Sequence, residues 1–143
     1  MDHQQAALAI RYVHVAAMAT VFGGAFLVTW IAWRGPADRI ADIAIRYEQL
    51  FWGAAGVLVM TGVGNLGALG PALPAPGSAW GATFLTKLLV VALLVAISLP
   101  RSLAVIDLAG GARPARRALR TIYGVTTGAL AVVVALALQL AHG

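Results

Sequence analysis

Four stretches of this sequence are each long enough and apolar enough to cross a lipid bilayer. A spanning helix needs about 20 predominantly apolar residues, and a membrane barrel would instead show alternating segments of about 10 residues, which the sequence lacks. In lipid the backbone must satisfy its own hydrogen bonds, which favours helices. The sequence therefore predicts one all-α integral membrane domain over residues 1–143, an up-down four-helix bundle with spans at about 8–33, 47–69, 80–104 and 118–141.

Composition supports lipid as the main surroundings of this chain. Hydrophobic residues make up 61% of it and charged residues 10%, whereas soluble domains average about 45–50% and about 25%. The first span lacks a basic start and is too long for the apolar core of a signal peptide, so we expect it to be retained. The lipid bilayer is the first expected partner.

The arginines predict the orientation of the bundle. They gather in and beside the first and third connections, whereas the second connection, residues 67–78, carries no charge. The positive-inside rule then predicts that the first and third connections face the cytoplasm, while both termini and the second connection face outward. Topology and contacts with anionic lipid account for the net charge of +5, so no nucleic-acid partner is expected.

Arg11 and His14 interrupt the first predicted span, and Lys87 interrupts the third. At about 1.5 Å per residue, His14 lies about 5–9 Å, Lys87 about 10 Å and Met60 about 14 Å below the outer boundary. Met18 follows His14 by one helical turn and shares its face. We therefore expect side chains from three helices at a similar depth.

These residue types predict a metal or haem site. Imidazole binds both copper and haem iron, and a thioether suits Cu(I) or the sixth position of a haem. We expect His14, Met18 and Met60 as metal ligands, and His14 with Lys87 as cofactor-binding residues, for a copper ion or haem b. The structural alternatives are an interhelical hydrogen bond from His14 to a carbonyl, Asn65 or Thr61, a snorkelling or hydrogen-bonded Lys87, and methionines that only fill gaps.

Other chemistry has few candidates in the sequence. There is no cysteine, and hydrolytic chemistry has no candidates because the five acidic residues are placed outside the spans or at their ends. His3 and His142 belong to the tails. Glycines in the second span are expected to let neighbouring helices approach closely, namely Gly53, Gly56, Gly62, Gly64 and Gly67.

The first two spans carry motifs of a known family. HVAAMATVFGG, residues 14–24, resembles the first helix of the CopD family of copper-resistance membrane proteins, in which paired glycines follow a histidine by nine and ten residues. The family usually has a tryptophan where this chain has Val21. LVMTGVGNL, residues 58–66, is similar to the Leu-Thr-Gly stretch of the next helix in that family.

The second half of the chain continues this resemblance. WGATFLTKLLVVALLVAISLPR, residues 80–101, looks like the lysine helix of the CopD family, which typically ends in a polar residue and an arginine. RPARRALR, residues 113–120, is similar to the basic start of its last helix, without the acidic residue that often follows. The resemblance implies periplasm-facing copper handling or haem binding in a bacterial inner membrane, with both termini in the periplasm.

A second family, the HemJ-type protoporphyrinogen oxidases, shares the layout of four helices with a histidine in the first and a lysine in the third. Its Pro-Arg element and further histidines are missing here. Three functions therefore stay open: a copper or redox module, a haem-containing membrane oxidoreductase, and a structural subunit of a larger membrane complex. A periplasmic metal or electron-transfer protein and a second copy of the chain are the further partners considered.

Overall fold

The structure, a computed structural model, describes residues 3–35, 37–68, 75, 77–109 and 116–142. Its four helices are α1 (His3–Arg34), α2 (Ala37–Ala68), α3 (Ala79–Ala109) and α4 (Arg116–His142). Each is long and apolar enough to cross a membrane. The predicted all-α fold, an integral membrane four-helix bundle, is confirmed.

The helix boundaries follow from local chemistry. Gly35 and Pro36 separate α1 from α2, because the proline ring cannot donate a backbone hydrogen bond within a helix. At the start of α3, the Ser78 hydroxyl oxygen accepts a 3.0 Å hydrogen bond from the backbone N–H of Gly81. A serine cap of this kind satisfies one of the free donors at a helix start.

Two helices are longer than the spans predicted for them. α2 begins at Ala37, ten residues before the predicted start at 47, so most of the predicted first connection is helical. α3 continues through Pro100 to Ala109. Parts of the predicted loops, at 69–74 and 110–115, lie outside the described residues, as do Pro76 and the side chains of His3 and His142.

The helices form a ring in which α1 packs against α2 and α4, and α3 packs against α4 and, least extensively, α2. We call the end of the bundle that holds Arg34 and Arg120 the basic end, and the opposite end, which holds His14, the histidine end. Most of the described core side chains lie towards the basic end, among them Val28, Ala44 and Phe51. The histidine end is therefore less tightly filled by apolar side chains.

Candidate metal site

His14 lies on the face of α1 that packs against α2. Its Nδ1 atom is 2.8 Å from the hydroxyl oxygen of Thr61 on α2, and the ring is half-buried. An ionisable ring turned to hydrocarbon would have no such partner. The interhelical hydrogen bond to Thr61, one of the three partners considered from the sequence, is present.

The Thr61 hydroxyl can serve two partners at once. Its oxygen lies 2.7 Å from the backbone carbonyl of Val57, so with its hydrogen directed there it accepts a hydrogen bond from Nδ1 of His14. In that arrangement the neutral ring carries its proton on Nδ1 and keeps the lone pair of Nε2 for a metal ion.

Glycine lets α2 come close to this ring. A side chain at Gly62 would place its Cβ 3.7 Å from Cε1 of His14, and one at Gly64 would place its Cβ 3.3 Å from Ile10. These two positions behave as the sequence predicted. Gly53, Gly56 and Gly67 do not, because a Cβ at any of them would have no neighbour within 4 Å among the described residues.

Lys87 reaches the same region from α3. It is half-buried, and it is close enough to His14 for its charge to act on the imidazole. Within the described part of the chain, its ammonium group has no hydrogen bond and no carboxylate partner. The structure thus joins His14 and Thr61 by a hydrogen bond and places Lys87 within electrostatic range of the ring, without a carboxylate partner among the described residues.

The two methionines have different surroundings. Met18 is partly buried and packs against the apolar core one turn from His14. Met60 is next to Thr61 in the chain, but 76% of its surface is exposed on the outside of the bundle. Of the two thioethers, Met18 is the one that shares the interior with His14.

The donor set around His14 is small. No group of three or more histidine, cysteine, aspartate or glutamate side chains that could hold a metal ion occurs among the described residues. A site built here by this chain would rest on one imidazole with softer or neutral donors. Cu(I) tolerates such a set because thioether and imidazole are both suitable ligands for it.

A second polar cluster fills the interior towards the basic end. Arg101 on α3 donates from Nε to Oε1 of Glu48 on α2 at 2.7 Å and from Nη2 to Oε2 at 3.1 Å. Tyr123 on α4 donates to the same carboxylate at 2.8 Å, and Ser102 does so at 2.6 Å. Arg101 is 1% exposed and Glu48 7%, so this is a buried ion pair whose acceptor oxygens are all engaged.

Aromatic rings complete this cluster. The guanidinium carbon of Arg101 lies 4.3 Å from the ring centroid of Phe51 and 5.4 Å from that of Tyr47. The Tyr47 hydroxyl donates to the carbonyl of Val21 on α1 at 3.2 Å. All four helices are therefore tied to one charged group.

Comparison with known protein families identifies the family of this chain. The model of copper resistance protein D matches residues 41–140, which is more than two thirds of the chain. The chain belongs to the CopD family. No curated protein matches it, and no solved structure does.

The matched range covers the two polar sites of this CopD protein unequally. It contains all the side chains of the cluster around Glu48 and Arg101. At the candidate metal site it contains Thr61 and Lys87, but it begins after His14 and Met18. The family assignment therefore rests on α2, α3 and α4. The role of the imidazole on α1 is a separate question.

The cluster around Glu48 was not predicted from the sequence. Every acidic residue was expected outside a span or at its end, which is wrong for Glu48 because α2 starts at Ala37 and buries this residue. The available signal was a lone acid near the start of one span and an arginine at the end of the antiparallel next one. Those positions fall at the same depth in the membrane, so the sequence could have predicted an ion pair between them.

Proposed function

We propose that this CopD-family protein handles copper and binds the ion through Nε2 of His14 at the histidine end of the bundle. The observation that carries the proposal is the pair of hydrogen bonds at Thr61, from Nδ1 of His14 and to the carbonyl of Val57. Together they orient the ring and keep the Nε2 lone pair free. Metal-binding histidines are commonly fixed in this way through their other nitrogen.

Met18 is the preferred second ligand in this proposal. It lies one turn from His14 on the same helix and is partly buried, and a thioether favours the cuprous ion. The exposure of Met60 at 76% makes it a weaker candidate than the sequence suggested. In this proposal copper is the transported ion, bound by few ligands and able to leave again.

Lys87 has an electrostatic role in the proposal. Its charge acts on His14, and a nearby cation repels a bound metal cation. The lysine would thus hold the affinity of the site down, which suits a protein that passes copper on.

The proposed setting is a bacterial inner membrane with both termini in the periplasm, so that His14 lies in the outer leaflet. The arginine distribution of the sequence supports this orientation. A reporter fused at residue 112 is expected to behave as cytoplasmic. A periplasmic signal from that fusion would contradict the orientation.

Metal analysis with an absorbance spectrum tests the proposal. We expect the detergent-purified protein to take up copper, His14→Ala to lose it, and the matched variants His3→Ala and His142→Ala to keep most of it. Full copper retention in His14→Ala would contradict the proposal. A Soret band that depends on His14 would instead support haem b and the oxidoreductase alternative.

A further inference from the structure

The surface of α1 at the basic end carries an apolar groove. It has a volume of about 220 Å³, and it is lined by Phe26, Thr29, Trp30, Trp33 and Arg34. Phe26, Trp30 and Trp33 are all exposed on the outside of the bundle. The groove therefore opens towards the membrane, at the level where tryptophan side chains are enriched beside the head groups.

One arginine lines this groove and a second lies beside it. The guanidinium carbon of Arg34, a lining residue, lies 4.1 Å from the ring centroid of Trp30. That of Arg120, on α4, lies 5.5 Å from the ring centroid of Trp33. Stacking on an aromatic face fixes the guanidinium of Arg34 while leaving its N–H groups available at the edge.

Arg120 is held from two sides. Its Nε donates to the carbonyl of Ala32 at 2.8 Å, and its Nη2 donates to the carbonyl of Trp33 at 3.1 Å. These bonds lock the arginine onto the end of α1. Neither Arg34 nor Arg120 has a carboxylate partner among the described residues, and both carry a positive charge at this end of the bundle.

We propose that this groove binds one anionic phospholipid of the bilayer, with its phosphate at Arg34 and Arg120 and an acyl chain along Phe26 and Trp30. Arginine is suited to phosphate because its planar fork of donors matches the oxygens. The apolar lining below the arginines matches a hydrocarbon chain. Charge and polarity therefore change along the groove in the same order as along a phospholipid.

A second depression at the basic end provides a contrast. It is lined by Asp42, Ile45, Arg46 and Gln49 on α2. Its one arginine shares the depression with a carboxylate, and no aromatic ring lines it. Arg46 is exposed like Arg34, so Arg46→Gln makes the same change of charge outside the proposed site.

Native mass spectrometry of the full chain tests the proposal, with the protein offered equal amounts of phosphatidylglycerol and phosphatidylcholine. We expect the wild-type protein to retain phosphatidylglycerol preferentially. Arg34→Gln should lower that preference about fivefold, the factor that one arginine contributes near an anionic surface, and Arg46→Gln should leave it unchanged. Trp30→Leu should lower it as well, because the support of Arg34 is lost.

Three results would overturn the proposal. Equal retention of the two lipids by the wild-type protein would remove the charge selection. An equal loss in Arg34→Gln and Arg46→Gln would reduce the effect to net charge. Displacement of the lipid by inorganic phosphate would show that the acyl chain contributes nothing. Circular dichroism of each variant checks that it is folded, and copper binding at His14 has no part in any of these outcomes.

Discussion

Glu48 on α2 and Arg101 on α3 form a two-point ion pair in the interior of the bundle, with nitrogen–oxygen distances of 2.7 and 3.1 Å. The pair crosses the least extensive of the four helix contacts in the ring. Tyr123 binds the same carboxylate from α4. One charged pair thus joins helices that apolar packing holds only in part.

Breaking this ion pair should destabilise the protein strongly. Removing one partner leaves the other charge buried without compensation, which costs about 3–5 kcal/mol. We expect Arg101→Met and Glu48→Gln each to approach that loss in the free energy of unfolding, measured in detergent. The double variant should lose less than the two single losses added together, because it leaves no unpaired charge.

Exposed charge provides the control for this ion-pair prediction. Arg46→Gln changes an exposed arginine on α2 and should alter the unfolding free energy by less than about 0.5 kcal/mol. Additive losses in the double variant would contradict the coupling between Glu48 and Arg101.

Two adjacent glycines on α1 should respond differently to alanine. A Cβ at Gly24 would lie 2.8 Å from two ring carbons of Tyr47, whereas a Cβ at Gly23 would have no neighbour within 4 Å among the described residues. Tyr47 is held by its hydrogen bond to Val21 and cannot move away freely. Gly24→Ala should therefore cost about 1–3 kcal/mol, and thermal unfolding in detergent measures it.

The matched variant Gly23→Ala should unfold at the wild-type temperature or slightly above it. Equal destabilisation by the two substitutions would show that Tyr47 does not pack against Gly24. It would also remove our explanation for the second glycine of the pair.

How far the sequence predicts this molecule depends on which interaction is considered. The four spans follow from apolar length alone, because lipid allows few alternatives to a helix. The bond between His14 and Thr61 was one of three alternatives from the sequence, beside a carbonyl and Asn65, because helical depth brought all of them near the ring. Distinguishing them requires the rotation of each helix about its axis, which a nearly uniform apolar sequence does not encode.

The same limit explains the remaining differences. Met60 and Thr61 are neighbours in the chain and share a depth, yet Met60 is mostly exposed while Thr61 contacts His14. The depth of a side chain in the membrane could be predicted from the sequence, but the side of the helix on which it faces its neighbours could not. The burial of Glu48 was missed for another reason, because the helical segment before residue 47 was read as part of a connection.

Neutralising Lys87 should strengthen copper binding. Its charge acts on His14, and removing a repulsion between partly screened charges is worth about 1 kcal/mol or more. We expect Lys87→Met to raise the copper affinity about fivefold in competition with a chromophoric chelator. Lys87→Arg keeps the charge and should leave the affinity near that of the wild type, whereas a weaker affinity in Lys87→Met would identify the lysine as a ligand.

Removing the hydroxyl of Thr61 should release the orientation of His14. In Thr61→Val the acceptor for Nδ1 is gone, so the protonated nitrogen is no longer fixed and copper affinity should fall about tenfold. The affinity assay measures the loss. Thr86→Val is the control, because among the described residues the exposed Thr86 hydroxyl bonds only the carbonyl of Ala82 on its own helix, and an equal loss there would contradict the role of Thr61.

The most direct measurement is nitrogen NMR of the imidazoles in protein labelled with ¹⁵N-histidine, recorded before and after addition of Cu(I). The His14→Ala variant assigns the His14 signals. Without copper, we predict that His14 carries its proton on Nδ1. With copper, we predict that the Nε2 resonance shifts while Nδ1 stays protonated. Copper bound to the protein with both His14 nitrogens unchanged, or with the shift confined to His3 and His142, would contradict the central claim.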